Sequence, residues 1–282
     1  MMKTAKGFRY VPFITLSLSE PEPRIWITLS GCNFKCKGCF SIARDTVGEP
    51  MTVDGLINWV QKSNRAYNGN TLLQDAVITG GEPTLDKDFL LDLVLKLKRS
   101  VGVKHITLST NGYLLDREYV MELKDAGLDG VKLDIKAYAN SIHQWYTSMS
   151  NRPVLKAARY LSESKLDFRV ETVLMQGIVD VEEIERIASF LARIDSGIKY
   201  KVVKFAPGEA REKVARRPSD NEIQLAVDSA SKYLRNVAGG KACVQQFDPQ
   251  NQRKENAKKW IRMYPDMKTE TIIAIPGEFV VS

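Results

Sequence analysis

Strand-like and helix-like segments alternate along most of the chain, and this alternation constrains the fold more than any other feature. Apolar runs with strand-like spacing occupy residues 24–29, 75–79, 105–109, 130–138, 168–175 and 199–205. Each run is followed by apolar residues at helical spacing, and the last of these helices is predicted at 221–237. Strands that alternate with helices run parallel in one sheet, because each helix returns the chain to the same end of the sheet.

Six strand–helix units predict an α/β fold, a partial (β/α)6 TIM-like barrel with a short C-terminal appendage. A closed barrel of this type has eight units, which is more than the sequence contains. We divide the chain into an N-terminal extension at 1–23, the barrel at 24–240 and the appendage at 241–282. In the appendage the sequence predicts a short apolar stretch at 242–244, a basic helix near 258–263 and a strand at 271–275.

Three of the four cysteines, Cys32, Cys36 and Cys39, lie close together in the loop after the first predicted strand. The loop is too short to separate their thiolates widely, so they can converge on one metal centre. Three ligands are too few for a closed four-ligand site, which predicts a centre with an open coordination position. The alternative is a structural zinc site completed by Cys243 or by one of the two histidines.

Glycine and polar residues follow the next two predicted strands. Gly80, Gly81 and Glu82 end the second strand, and Ser109 and Asn111 end the third. Ligands of parallel α/β folds bind at the carboxyl ends of the strands, where these residues collect. Two glycines without side chains allow the backbone to approach a ligand closely, although an ordinary turn is the alternative interpretation.

The fourth predicted strand carries charged residues on one face. Lys132, Asp134 and Lys136 alternate with apolar residues, and Arg169 and Glu171 repeat this pattern on the fifth strand. A parallel strand that is buried on both faces is apolar throughout, so the pattern predicts a polar barrel lumen. An exposed edge strand is the alternative.

The charge of the chain favours acidic partners. The formal net charge is +7 and the sequence pI is about 9.1. Phosphorylated or anionic substrates and acidic proteins would complement this charge, and we do not expect nucleic acid as a partner. The sequence has no apolar run of membrane-spanning length and no signal peptide, so we expect a cytoplasmic protein without membrane contact.

Cys32-x-x-x-Cys36-x-x-Cys39, followed by Gly81-Glu82 at the end of the next strand, resembles the radical S-adenosylmethionine (SAM) superfamily. The resemblance implies one four-iron four-sulfur (4Fe-4S) cluster held by the three cysteines, with SAM on the remaining iron. It implies an oxidoreductase that reductively cleaves SAM to a 5′-deoxyadenosyl radical, which removes a hydrogen atom from the substrate. It also implies an electron donor of the flavodoxin or ferredoxin type.

Within the superfamily, residues 131–136, 142–144 and 175–180 resemble glycyl-radical-enzyme activating enzymes of the pyruvate formate-lyase type. That likeness implies a glycyl radical enzyme as partner, with one of its glycines as the hydrogen donor. The cofactor-binding residues that it implies are Gly38, Phe40, Gly80, Gly81, Glu82, Ser109, Asn111, Asp134, Lys136 and Glu171.

The chain also departs from the activating enzymes. Ser109 stands where they have an aspartate at a monovalent-cation site, and Lys204-Phe205-Ala206 replaces their Pro-Tyr-His. We expect Lys204 or Glu171 to compensate for the missing histidine. Two other functions remain open: a radical SAM enzyme acting on a small molecule or modified peptide, similar to 7-carboxy-7-deazaguanine synthase, and a non-catalytic metal-binding module.

Overall fold

The computed structural model describes residues 7–17, 23–69, 71–208, 210–239, 258–275 and 278–281. The strands are β1 (Arg9–Val11), β2 (Ile14–Ser17), β3 (Arg24–Leu29), β4 (Glu49–Met51), β5 (Asp75–Gly80), β6 (His105–Thr110), β7 (Gly130–Asp134), β8 (Asp167–Leu174), β9 (Lys199–Lys204), β10 (Asn236–Gly239), β11 (Lys258–Met263), β12 (Thr269–Ile275) and β13 (Glu278–Val281). The α-helices are α1 (Val53–Asn68), α2 (Lys87–Lys96), α3 (Arg117–Asp125), α4 (Asn140–Thr147), α5 (Arg152–Ser164), α6 (Val181–Ala192) and α7 (Asp220–Ser231).

One large sheet organises the molecule, in the order β10-β9-β8-β7-β6-β5-β3-β2-β11-β12-β13. Seven strands of this sheet are parallel, and helices connect them in chain order: β3, β5, β6, β7, β8, β9 and β10. In the described residues no pairing joins β10 to β13, so the sheet stays open. The predicted α/β fold with a partial (β/α)6 barrel is confirmed. Within the same residues, no helix combines the length and the apolar character that crossing a membrane requires.

The two faces of the parallel sheet differ sharply in polarity. Val131 and Leu133 on β7 are almost fully buried on the face that the helices cover. Lys132 and Asp134 alternate with them and retain 27% and 33% of their side-chain exposure. Because β7 pairs with β6 and β8, it is a central strand and not an edge strand. The predicted polar lumen is therefore confirmed, and the edge-strand alternative is wrong.

The predicted helix at 221–237 is too long. Helix α7 ends at Ser231, and β10 (Asn236–Gly239) adds a seventh parallel strand beside β9. Ser219 caps the start of α7 in a capping box: its side chain accepts from the Glu222 N–H, and the Glu222 carboxylate accepts from the Ser219 N–H. Val237, which resembled the last apolar position of the helix, lies opposite Tyr200 in the sheet. Pairing with β9 overrides the local helical spacing there.

The basic helix predicted near 258–263 is wrong, because this segment forms β11 between β2 and β12. Ile261 and Met263 are buried, whereas Trp260 and Arg262 are half-buried, and this is the alternation of a strand. The predicted strand at 271–275 is confirmed within β12. The predicted apolar stretch at 242–244 and Cys243 lie outside the described residues.

The chain before the barrel also joins the sheet. β2 pairs antiparallel with β3 on one side and with β11 on the other, and β1 pairs with β4 in a small separate sheet. Segments from both ends of the chain therefore extend the parallel sheet past β3. The division at residues 23 and 240 stays a prediction.

Candidate active site

The cysteine loop lies beyond the carboxyl end of β3 and is held on one side by helix α4. The backbone N–H groups of Lys35 and Lys37 donate to the carbonyl oxygens of Thr147 and Tyr146, at 2.9 and 3.1 Å. These two carbonyls belong to the last residues of α4, where no following turn of the helix donates hydrogen bonds to them. The loop between the cysteines is thus anchored to a helix end far away in sequence, and sequence analysis did not predict that helix.

The segment after β9 covers the other side of the cysteine loop. Arg211 N–H donates to Cys39 O at 3.0 Å, and Glu212 N–H donates to Lys37 O at 3.2 Å. The Arg211 guanidinium also pairs with Asp45 at 2.6 Å, just past the loop. Backbone hydrogen bonds from two elements therefore fix the conformation that presents the cysteines.

The three cysteines are free thiols; Cys36 is buried, and Cys32 and Cys39 are half-buried. Burial raises the pKa of Cys32 to about 12, helped by the nearby Glu82 carboxylate. Burial also raises the pKa of Cys36 to about 11, although the Lys136 ammonium opposes it. These thiols hold their protons until a metal displaces them, because the thiolate is the ligand form.

The glycine turn after β5 packs directly on the cysteine loop. Gly80 has φ +134°, and a Cβ there would lie 2.1 Å from Leu29 O. A Cβ on Gly81 would lie 2.2 Å from Gly31 O and 2.3 Å from Ala43 O. Backbone approaches this close admit only glycine, so the turn is not an ordinary one.

Glu82 is fully buried and joins the glycine turn to the end of β6. Its Oε1 accepts from Thr110 Oγ1 at 2.6 Å and from Thr84 Oγ1 at 2.7 Å. Its Oε2 accepts from Asn111 N–H at 2.7 Å. Burial raises the pKa of Glu82, and these hydrogen bonds offset part of that rise. The carboxylate is thus occupied within the protein, and its predicted contact with a ligand stays a prediction.

Arg9 is a buried cation beside this turn that sequence analysis missed. Its guanidinium donates to Ser30 O at 2.8 Å, Pro83 O at 3.1 Å and Glu82 O at 3.2 Å. It thereby ties β1 to the end of β3 and to the glycine turn. No local signal marks Arg9, because its partners are backbone carbonyls that only the folded chain brings together.

Asp134 and Lys136 form an ion pair at the end of β7, and their predicted contact with SAM stays a prediction. Burial alone would lower the pKa of Lys136, but the charges of Asp134 and Cys36 outweigh it and raise the pKa. Asp134 Oδ1 is buried and has no hydrogen-bond partner within the described part of the chain. Such an acceptor is suited to a hydroxyl or amine of a ligand.

Phe205 lies against the cysteine loop, although the sequence pointed to its neighbour Lys204. A Cβ on Gly38 would lie 2.8 Å from Phe205 Cε2 and 3.4 Å from the hydroxyl of Tyr146. Lys204 instead pairs with Asp220 in the first turn of α7. The expectation that Lys204 compensates for a missing histidine is therefore wrong. Strand alternation turns Lys204 away from the open face, which is the polar face of the sheet that carries Lys132 and Asp134.

The structure brings most of the predicted residues together. The three cysteines, Gly38, the glycine turn, Asn111, Asp134 and Lys136 surround one site, and Phe40 beside it is 62% exposed. Glu171 is aligned with Asp134 on the open face, and Ser109 lies one row lower, opposite Lys132. No three His, Cys, Asp or Glu side chains among the described residues are arranged to hold a single metal ion.

Comparison with known proteins agrees with this geometry. Residues 26–191 match the sequence model of the radical SAM superfamily. A protein of Methanocaldococcus jannaschii, named as a candidate glycyl-radical enzyme activating enzyme, is 34% identical over 227 residues, which covers 79% of this chain and 82% of that protein. The pyruvate formate-lyase-activating enzyme of Staphylococcus epidermidis is 28% identical over 197 residues and covers 67% of this chain and 77% of its own length.

A solved structure gives the same fold at lower identity. SuiB of Streptococcus suis, crystallised with its precursor peptide SuiA, superposes with a TM-score of 0.58 at 18% identity, over 74% of this chain and 46% of that one. This likeness concerns the fold alone.

Proposed function

The chain belongs to the radical SAM superfamily, and we propose that it is an activating enzyme that removes a hydrogen atom from a glycine of a partner enzyme. The predicted resemblance to the superfamily is confirmed, and with it the enzyme class. The family uses a 4Fe-4S cluster and SAM. Membership in an enzyme family argues against the non-catalytic zinc module.

The residues at the site fit both groups. Cys32, Cys36 and Cys39 would hold the cluster, because three thiolates bind three of its four irons and leave one iron open for SAM. Asp134 has a buried oxygen without a partner among the described residues, which suits SAM, and Lys136 lies beside it. When bound, the cluster and SAM supply the 5′-deoxyadenosyl radical. The protein positions these groups and excludes water from them.

The observation that carries the proposed substrate is the similarity to the M. jannaschii protein over most of both chains. The open sheet supports it. In the described residues β10 and β13 do not pair, so no strand pairing closes the sheet around its polar face, which leads to the cysteine loop. An extended loop of another protein could therefore reach the site from the side. An electron donor of the flavodoxin or ferredoxin type would reduce the cluster, in keeping with the net charge of +7.

Electron paramagnetic resonance tests this proposal. The anaerobically reconstituted enzyme, with SAM and reduced flavodoxin, should produce a glycyl radical signal in a glycyl radical enzyme encoded in the same genome. Cys36→Ala, which lacks one cluster ligand, should produce none. Release of 5′-deoxyadenosine without a glycyl radical on any such enzyme would contradict the proposed substrate.

A second candidate function is favoured by cations on the open face. Glu171 faces Lys132 Nζ at 3.5 Å and Arg169 Nε at 3.7 Å, so one carboxylate serves two cations. Lys201, aligned with Glu171, makes no ion pair with the residues that the structure describes. An excess of positive charge in the lumen suits a small anionic substrate.

Fractionation distinguishes the two candidates. The release of 5′-deoxyadenosine should be stimulated by the low-molecular-weight fraction of a cell extract if the substrate is small, and this stimulation should fall in Lys132→Met. Stimulation by the protein fraction alone would favour the glycyl radical enzyme.

A further inference from the structure

Beside the cysteines, one half-buried side chain has a buried amide nitrogen for which the described residues supply no acceptor. Asn33 follows Cys32, and its Nδ2 atom is buried without an acceptor among the residues that the structure describes. The Asn33 amide oxygen lies 3.9 Å from Cys32 Sγ. A buried donor without a partner costs about 1–3 kcal/mol, so a native protein retains one where something else accepts its hydrogen bond.

The hydrogen-bond network fixes which end of this amide is the donor. Tyr113 N–H donates to Asn111 Oδ1 at 3.0 Å, which directs the Asn111 Nδ2 group toward Asn33. Asn111 Nδ2 then donates to Asn33 Oδ1 at 2.8 Å. If the Asn33 amide were turned over, two NH2 groups would face each other. The Asn33 Nδ2 group therefore has no acceptor among the described residues.

Glu82 holds Asn111, and through it Asn33, in position. Its carboxylate accepts the backbone N–H of Asn111 at 2.7 Å, and Asn111 Nδ2 lies 3.9 Å from Cys32 Sγ. The chain of contacts runs from the glycine turn through Asn111 to Asn33. A side chain held in this way is preorganised for an acceptor at the cysteine loop.

We propose that the Asn33 Nδ2 group donates a hydrogen bond to a sulfur atom of the cluster and raises the reduction potential of the cluster. Sulfur is the acceptor that the loop supplies when the cluster is bound. A donor to sulfur stabilises the reduced cluster, which carries one more negative charge, more than the oxidised cluster. This inference rests on the cluster of the family and not on the proposed glycine substrate.

A potentiometric titration of the reconstituted enzyme without SAM, followed by electron paramagnetic resonance, tests this role. Asn33→Leu has a similar volume and no donor. At the potential where half of the native cluster is reduced, the ratio of reduced to oxidised cluster should fall about tenfold, which is about 59 mV for a one-electron couple. Asn33→Gln, which keeps the donor on a longer arm, should recover part of that shift.

Asn64→Leu is the matched control, because Asn64 is a buried amide in α1 that donates to Thr71 O at 2.9 Å. It should leave the potential unchanged. An unchanged potential in Asn33→Leu with full iron content would overturn the proposal. A loss of SAM affinity without a shift would assign the amide to SAM instead. If neither Asn33→Leu nor Asn33→Ala binds the cluster, the amide serves the folding of the loop and the proposal fails.

Discussion

At the scale of single residues, the site depends on contacts that leave no room for a side chain. Gly38 lies under the ring of Phe205, which is only 2% exposed and cannot swing into solvent without exposing its apolar surface. The Tyr146 hydroxyl bounds the same space. Gly38 and Phe205 therefore constrain each other although they lie on different elements.

Gly38→Ala should lower the free energy of unfolding by about 1–3 kcal/mol, because the added methyl group overpacks this space. In the double variant with Phe205→Leu the penalty should shrink, since the smaller side chain gives way. Urea unfolding of the two single variants and the double variant measures the coupling. If their effects add within about 0.5 kcal/mol, the two residues are not in the contact described.

At the scale of elements, the end of α4 holds the cysteine loop at an energetic cost. Ser148, the residue after the helix, has φ +64° in the left-handed region, and its N–H donates to Gln144 O at 2.8 Å. The two preceding carbonyls accept from the cysteine loop. A left-handed residue with a Cβ costs about 1–2 kcal/mol, and glycine avoids that cost.

Ser148→Gly should raise the free energy of unfolding by about 0.5 kcal/mol, because relief of the left-handed strain outweighs the greater entropy of glycine in the unfolded chain. Lys165→Gly tests the same effect at the end of α5, where φ is +63° and the cysteine loop is not involved. Chemical denaturation of both variants is the measurement. A loss of stability in Ser148→Gly alone would show that the hydroxyl contributes more than the backbone conformation costs.

At the scale of the whole molecule, β2 connects the parallel sheet to the C-terminal strands. β2 pairs with β3 and with β11, and Trp26 of β3 packs on Trp260 of β11 with ring centroids 5.1 Å apart. Continuous hydrogen bonding and packing across these strands couple their stability. We therefore expect the barrel and β11 to unfold together.

Met263→Ala should lower the free energy of unfolding by about 2–5 kcal/mol, because Met263 is a buried side chain in β11. Met267→Ala in the same hairpin is the matched control, since Met267 is 70% exposed and should change little. Tryptophan fluorescence and circular dichroism should report one shared transition. An early separate transition in Met263→Ala would indicate that the C-terminal strands form an independent unit.

The sequence determined the six strand–helix units, the cysteine loop, the glycine turn and the charged face of β7. These features are local, because periodicity and short spacing are written in neighbouring residues. The charged face of β7 also revealed which side of the sheet is polar.

Only the tertiary structure decided the rest. β10 and β11 depend on strand partners far away in the chain, which overrode their local helical patterns. Arg9, Phe205 and the Asn33–Asn111 pair act through atoms that meet only once the sheet has assembled. Their roles follow from packing and hydrogen bonding across long sequence separations, and no spacing of residues along the chain encodes such contacts.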